Sequence, residues 1–134
     1  MCGLPGIDIV SVSRVEKLIR DGGEKFLSRW FTAAEVAYCT RKAVPSRHFA
    51  ARLAAKEAVT KVLPSGWDGP LPWRSIEITN DIHGAPTVRL SGSSLAVATD
   101  AGIDTIRVSL SHCDEYATAV AMASYAARVA DDES

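Results

Sequence analysis

The sequence predicts an α+β fold in one domain, with elements in the order β-α-α-α-β-β-α-β-β and helices packed on one face of a mixed sheet. Three observations carry that prediction. Short runs rich in β-branched or alternating residues occur at 4–10, 76–79, 86–90, 105–111 and 116–124. Between the first two runs lies a long stretch of helical periodicity with its own cap and stop signals. The chain has 134 residues, 47% of them hydrophobic, with neither an internal repeat nor a linker long enough to divide it. A single domain over 1–134 follows, with a loosely ordered tail from about residue 126.

Residues 4–10, L-P-G-I-D-I-V, form the first strand, bounded by Gly3 and Ser11 and expected to be largely buried. From Ser13 the spacing of Val15, Leu18 and Ile19 is helical, Arg14, Lys17 and Arg20 lie on another face, and Gly22-Gly23 ends the helix. A short helical stretch follows at 24–31. Thr32 with Glu35 three residues later is a capping box, starting a helix that carries Val36, Ala37 and Cys39 as far as about Lys42. Pro45 suits a first helical turn, where its missing N–H is harmless, so the next helix runs about 18 residues toward Leu63.

Pro64, Gly66, Gly69, Pro70 and Pro72 then break the chain into a loop, with Trp67 and Trp73 as packing anchors. The runs at 76–79 and 86–90 flank N-D-I-H-G and read as a β-hairpin with a turn of several residues. Ser93 or Ser94 caps a helix through Asp100, ended by Gly102. The last two strands are separated by His112-Cys113-Asp114-Glu115.

Composition narrows the function. A net charge of −1 offers no global basic field for nucleic acid or membrane, so any anion recognition is local. No apolar run is long enough to span a membrane, and M-C-G-L-P-G lacks the regions of a signal peptide, which makes the cytoplasm the expected location. Cys2, Cys39 and Cys113 are an odd set without C-x-x-C spacing, expected to be free thiols. Walker, Rossmann, nucleophile-elbow and H-E-x-x-H motifs are all missing.

Asp8 is the first anomaly, a carboxylate inside an apolar strand. Either it caps a turn or pairs with an arginine, or it ligates a metal. The helix R-H-F-A-A-R-L-A-A-K-E-A-V-T-K-V-L at 47–63 supplies candidate partners: Glu57 and Lys61 one turn apart, and His48, Arg52 and Lys56 on the adjoining stripe. Its alanines allow other backbone to approach closely. Asp8 with Glu57 would give a Mg²⁺ two hard oxygen ligands, leaving waters and substrate phosphate to complete the shell. Lys61 would face the same phosphates. His112, where V-S-L-S ends, is either an ordinary loop residue or a phosphate contact.

Four segments in order, G-I-D-I-V at 6–10, the helix at 47–63, N-D-I-H-G-A-P-T-V-R-L at 80–90 and V-S-L-S-H-C-D-E-Y-A-T-A-V at 108–120, resemble the holo-acyl-carrier-protein synthase family. These are small single-lobed 4′-phosphopantetheinyl transferases. The resemblance implies their fold and transfer of the 4′-phosphopantetheine arm of coenzyme A to a serine of an apo acyl carrier protein, releasing adenosine 3′,5′-bisphosphate. It implies Asp8 and Glu57 as Mg²⁺ ligands, with Lys61 beside the reacting phosphate as the third catalytic residue. Arg52, Lys56, Lys61, His112, Gly84 and Pro86 match positions near coenzyme A. Arg14, with Lys17 and Arg20, matches the surface that docks the carrier. A homotrimer with sites at subunit boundaries is implied as well. The serine proton is left to a water on the metal, to Glu57 or to Lys61. A non-catalytic module that binds coenzyme A or a carrier is the alternative.

The family pattern is broken in three places. Pro5 precedes the aspartate strand and cannot donate a ladder hydrogen bond, so the strand is expected to begin late or lie at an edge. Pro64-Ser65-Gly66 replaces a G-T-G-like turn, and Cys113 stands where a polar residue is common.

Overall fold

The computed structural model describes residues 3–64 and 73–127. Its elements follow the expected order: β1 (Gly6–Ser11), α1 (Val12–Trp30), α2 (Ala33–Thr40), α3 (Pro45–Val62), β2 (Ile76–Asn80), β3 (Pro86–Leu90), α4 (Gly92–Asp100), β4 (Ile103–His112) and β5 (Tyr116–Tyr125). The sheet expectation is corrected. Instead of one mixed sheet, the described residues form two antiparallel ones, β1-β5-β4 and the β2-β3 hairpin.

Helix α3 lies across the inner face of the three-stranded sheet, and alanine governs how closely. Ala117, Ala119, Ala121 and Ala123 of β5 are all buried, as are Ala50, Ala51, Ala54, Ala55 and Ala58 of α3. Methyl against methyl brings the two backbones together. The tightest point is Gly6 of β1, where an added Cβ would sit 2.3 Å from the Ala58 carbonyl oxygen. Only glycine fits there.

Strand β1 begins at Gly6, past Pro5, and is an edge strand. The expectation that its side chains are largely buried is corrected: Ile7 and Ile9 are 64% and 65% exposed, because strand alternation turns them to the sheet face opposite α3. Val120 and Met122 of β5 are exposed on the same face, so among the described residues helices cover one side of the sheet and leave the other open.

The segments on either side of Gly22-Gly23 form one element kinked at Gly23, whose φ of 55° departs from the helix. The capping box at Thr32 and Glu35 forms as expected, and Pro45 occupies the first turn of α3. Helix α4 starts earlier than expected, after Ser91. Ser94 does not cap it; its hydroxyl donates to the carbonyls of Ser75 and Ser91 at 2.8 and 3.0 Å. Trp73 packs on Trp30 with ring centroids 4.4 Å apart, as an anchor should. The loop expected around Trp67 and the tail at 128–134 lie outside the described residues, while the Ala126 N–H is held by the Gly102 carbonyl at 2.9 Å. Cys39 and Cys113 are free thiols, and burial pushes that of Cys39 up to about 12. Among the described residues no helix is long and apolar enough to cross a membrane.

Candidate active site

Alternation along β1 sends Asp8 toward α3, and the Gly6 contact brings the strand near enough for the side chains to meet. Lys61 Nζ donates to Asp8 Oδ1 at 3.1 Å and to the Ile7 carbonyl at 2.6 Å. Thr118 Oγ1 donates to the Asp8 carbonyl at 2.8 Å, fixing the backbone beneath the carboxylate. Asp8 Oδ2 is buried with no hydrogen-bond partner.

Glu57 stands against the same carboxyl group. Burial first, then the hydrogen-bonding contact and negative charge of Asp8, push the Glu57 carboxyl up to about 7, against the opposing pull of Lys61 and Arg14. Two carboxylates facing each other repel, and only a shared proton or a cation satisfies both. Among the described residues no group of three or more His, Cys, Asp or Glu gathers, so the site is not a closed metal cage. Two carboxylates with an orphaned oxygen fit a hard divalent cation that keeps room for waters and phosphate oxygens. A groove of about 180 Å³ between α1 and α3 runs beside them, with Arg14 and Glu57 among apolar walls that include Leu18, Phe26 and Trp30. A larger opening, about 520 Å³, lies between the second half of α1 and α2 and holds none of the expected site residues.

A second, basic cluster forms toward the start of α3. The Arg52 guanidinium stacks 4.0 Å from the Tyr38 ring centroid and Lys42 Nζ lies 4.5 Å from it. The His48 and His112 rings meet edge to face with centroids 5.0 Å apart. Burial first, then the charges of His112, Lys42, Arg52 and Arg47, hold the His48 imidazole below its ordinary pKa. Arg52 Nε is buried without a partner, although Nη2 donates to Asn80 Oδ1 at 2.5 Å. Asn80 Nδ2 in turn donates to the Gly84 carbonyl at 2.9 Å, which ties the hairpin turn to Arg52. Gly84 takes a φ of 85° there, and Pro86 opens β3. Sequence reasoning missed Tyr38 and Lys42; the available signal was a Y-x-x-x-K running past the end of α2, a few residues ahead of R-H-x-x-x-R in the first turns of α3.

The expected coenzyme A contact by Lys56 is corrected. Its side chain is fully buried, and its three donors are taken by Glu35 at 2.8 Å and the carbonyls of Trp73 and Ile76 at 2.9 and 2.6 Å. An ammonium has no fourth donor for a phosphate. Of the α1 basic residues, all exposed, Arg14 lies beside Glu57, whereas Lys17 pairs with Asp21 at 2.5 Å. Arg47, at the start of α3, pairs with Asp114 at 2.6 Å.

The sequence profile of the 4′-phosphopantetheinyl transferase superfamily matches residues 5–121, and that span includes both clusters. The chain belongs to this superfamily. Among the transferases it resembles, a holo-acyl-carrier-protein synthase of Moorella thermoacetica is 47% identical over 117 residues, covering 87% of this chain and 90% of that protein. One from Geobacter sulfurreducens is 41% identical over 115 residues, covering 86% and 91%. The crystal structure of a Neisseria meningitidis holo-acyl-carrier-protein synthase superposes with a TM-score of 0.81 at 30% identity, covering 92% of this chain and 99% of that one. A Helicobacter pylori synthase crystallised with coenzyme A gives 0.78 at 33% identity, covering 90% and 100%. The transferase fold therefore extends over nearly the whole chain, including the α3 helix and the hairpin.

Proposed function

We propose that this transferase moves the 4′-phosphopantetheine arm of coenzyme A onto a serine hydroxyl of an apo acyl carrier protein, using Mg²⁺ and releasing adenosine 3′,5′-bisphosphate. The observation that carries it is the Asp8–Glu57 carboxyl pair with Lys61 on α3. Asp8 and Glu57 would hold the Mg²⁺, which when bound neutralises and orients the pyrophosphate of coenzyme A. Lys61 Nζ, half exposed and beside Asp8, would stabilise negative charge on the phosphoryl oxygens. Glu57 or Lys61 takes the serine proton. Little else is asked of the protein, because attack on phosphorus needs positioning and charge neutralisation more than covalent help.

Arg52, with its unpartnered Nε, and His112, together with the hairpin turn at Gly84 and Pro86, would receive the nucleotide end of coenzyme A. Arg14, Lys17 and Arg20 on the exposed face of α1 would dock an acidic carrier, an attachment that added salt weakens. The reaction belongs in the cytoplasm, in keeping with the free thiols of Cys39 and Cys113. We further propose a homotrimer with sites at subunit boundaries. Ile7, Ile9, Val120 and Met122 form an exposed apolar patch on β1 and β5, flanked by Arg107 and Ser109 of β4, and further copies of the chain would cover it. Light scattering of the purified protein should read three chains, and Ile9→Lys should leave monomers without activity.

Incubation with coenzyme A, Mg²⁺ and a panel of apo acyl carrier proteins, followed by mass spectrometry, tests the activity. One carrier should gain a single phosphopantetheine; unmodified masses throughout the panel would refute the reading.

A further inference from the structure

Among the described residues the β2-β3 hairpin pairs with no third strand, so the outer edge of β2 must find other partners for its backbone. It meets an ion pair. Glu35 Oε2 accepts from the Ile78 N–H at 2.9 Å, and Lys56 Nζ donates to the Ile76 and Trp73 carbonyls. The two charged groups meet at 2.8 Å with both side chains fully buried, and Glu35 Oε1 also accepts from the Thr32 N–H at 2.8 Å. Thr32 Oγ1 donates to Glu77 Oε2 at 2.6 Å, a second tie between the start of α2 and the same strand. One turn earlier on α3, Arg52 fastens the far end of β2 through Asn80.

We infer that Glu35 and Lys56 are positioning residues, an ion pair that fixes the height of the β2-β3 hairpin on α3 and so presents its turn to coenzyme A already formed. A buried ion pair is commonly no more stabilising than an apolar pair of similar volume, so stability alone does not account for it. Directionality does. The ammonium finds its two carbonyls and the carboxylate finds the Ile78 N–H at one setting of the strand. A slip by one residue would turn every side chain of β2 to the opposite face and misalign these donors and acceptors. An apolar contact would not discriminate so sharply.

The inference rests on the reading that the hairpin meets coenzyme A. Lys56→Met alone leaves the Glu35 carboxylate buried and unpaired, and its Tm should fall sharply. Lys56→Met combined with Glu35→Gln removes both charges and should recover most of that loss. In steady-state transfer by this double variant, KM for coenzyme A should rise about tenfold, with KM for the carrier unchanged and kcat within about threefold of wild type. A double variant with recovered Tm and an unchanged KM for coenzyme A would overturn the proposal. Amide exchange on the unsubstituted protein gives a check independent of any variant's folding. The Ile78 N–H should be equally protected with and without coenzyme A; rapid exchange that slows only on adding coenzyme A would also overturn the proposal. Wild-type protein that binds no coenzyme A would instead sink the functional reading, and Ile78 exchange in the free protein would still report whether the hairpin is preformed.

Discussion

Lys56 and Glu57 are neighbours on α3, and each joins a grouping of lysine and carboxylate, yet the two groupings differ in every respect that chemistry needs. Around Lys56 each donor has an acceptor, each Glu35 oxygen has a donor, and no water reaches either side chain. Around Glu57 two carboxyls share one nearby ammonium, Asp8 Oδ2 has no partner, and Lys61 is half exposed. The first grouping is complete and holds the fold. The second leaves Asp8 Oδ2 unmatched and is open to a groove, which is the condition for taking up a cation and a substrate phosphate. Charge type alone does not separate a structural pair from a reactive one; completeness does.

Glu57→Ala should separate the two groupings most widely. Removing a member of the incomplete grouping should lower transfer by about a hundredfold to a thousandfold, followed as carrier mass against time, while Tm holds or rises. Wild-type turnover in that variant would put Glu57 on the same structural footing as Lys56.

Gly6→Ala acts on the same grouping from behind. Its new Cβ would meet the Ala58 carbonyl, so β1 must move off α3 and carry Asp8 with it. We expect a stability loss of about 1–3 kcal/mol by chemical denaturation and a fall in kcat. Amide exchange at Ile78 should be untouched, because the Glu35–Lys56 pair lies on another side of α3. An equal loosening of Ile78 would mean that the two groupings are not independent.

How far the sequence revealed these groupings follows from how local each signal is. Pro45, the Thr32–Glu35 box and the glycine near residue 23 act within a turn of themselves, so the helix limits were readable. Asp8 stood out as a charge among apolar neighbours, and one-turn spacing linked Glu57 to Lys61. Lys56 was misplaced because periodicity assigns a residue to a stripe without saying what covers that stripe. What covers it is Glu35, 21 positions earlier, together with the backbone of Trp73 and Ile76, up to 20 positions later. Glu35 was legible only as a capping residue, although its second oxygen and its charge remained to be matched. The exposure of Ile7 and Ile9 was hidden for a similar reason: nothing in residues 4–10 tells which sheet face the chain leaves bare.

The smallest expected effect is the most direct measure of incompleteness, and it is read without substrate. In the metal-free protein the Glu57 carboxyl titrates near 7, against an ordinary 4.5, because burial and Asp8 disfavour its charge. The folded state therefore holds a proton that the unfolded state has already lost between those values, so stability falls as pH rises through that window. Below it Glu57 is protonated in both states and costs nothing; above it the full cost of burying its charge beside Asp8 is present. Glu57→Gln cannot ionise, so metal-free variant and wild type should differ little near pH 5, and the variant should melt a few degrees higher near pH 8. Adding Mg²⁺ at the higher pH should raise the Tm of wild type and leave the variant unmoved. A wild-type minus variant difference that stays flat from about pH 5 to 8 would mean the Asp8–Glu57 pair carries no stored repulsion, and the contrast with Glu35–Lys56 would fail.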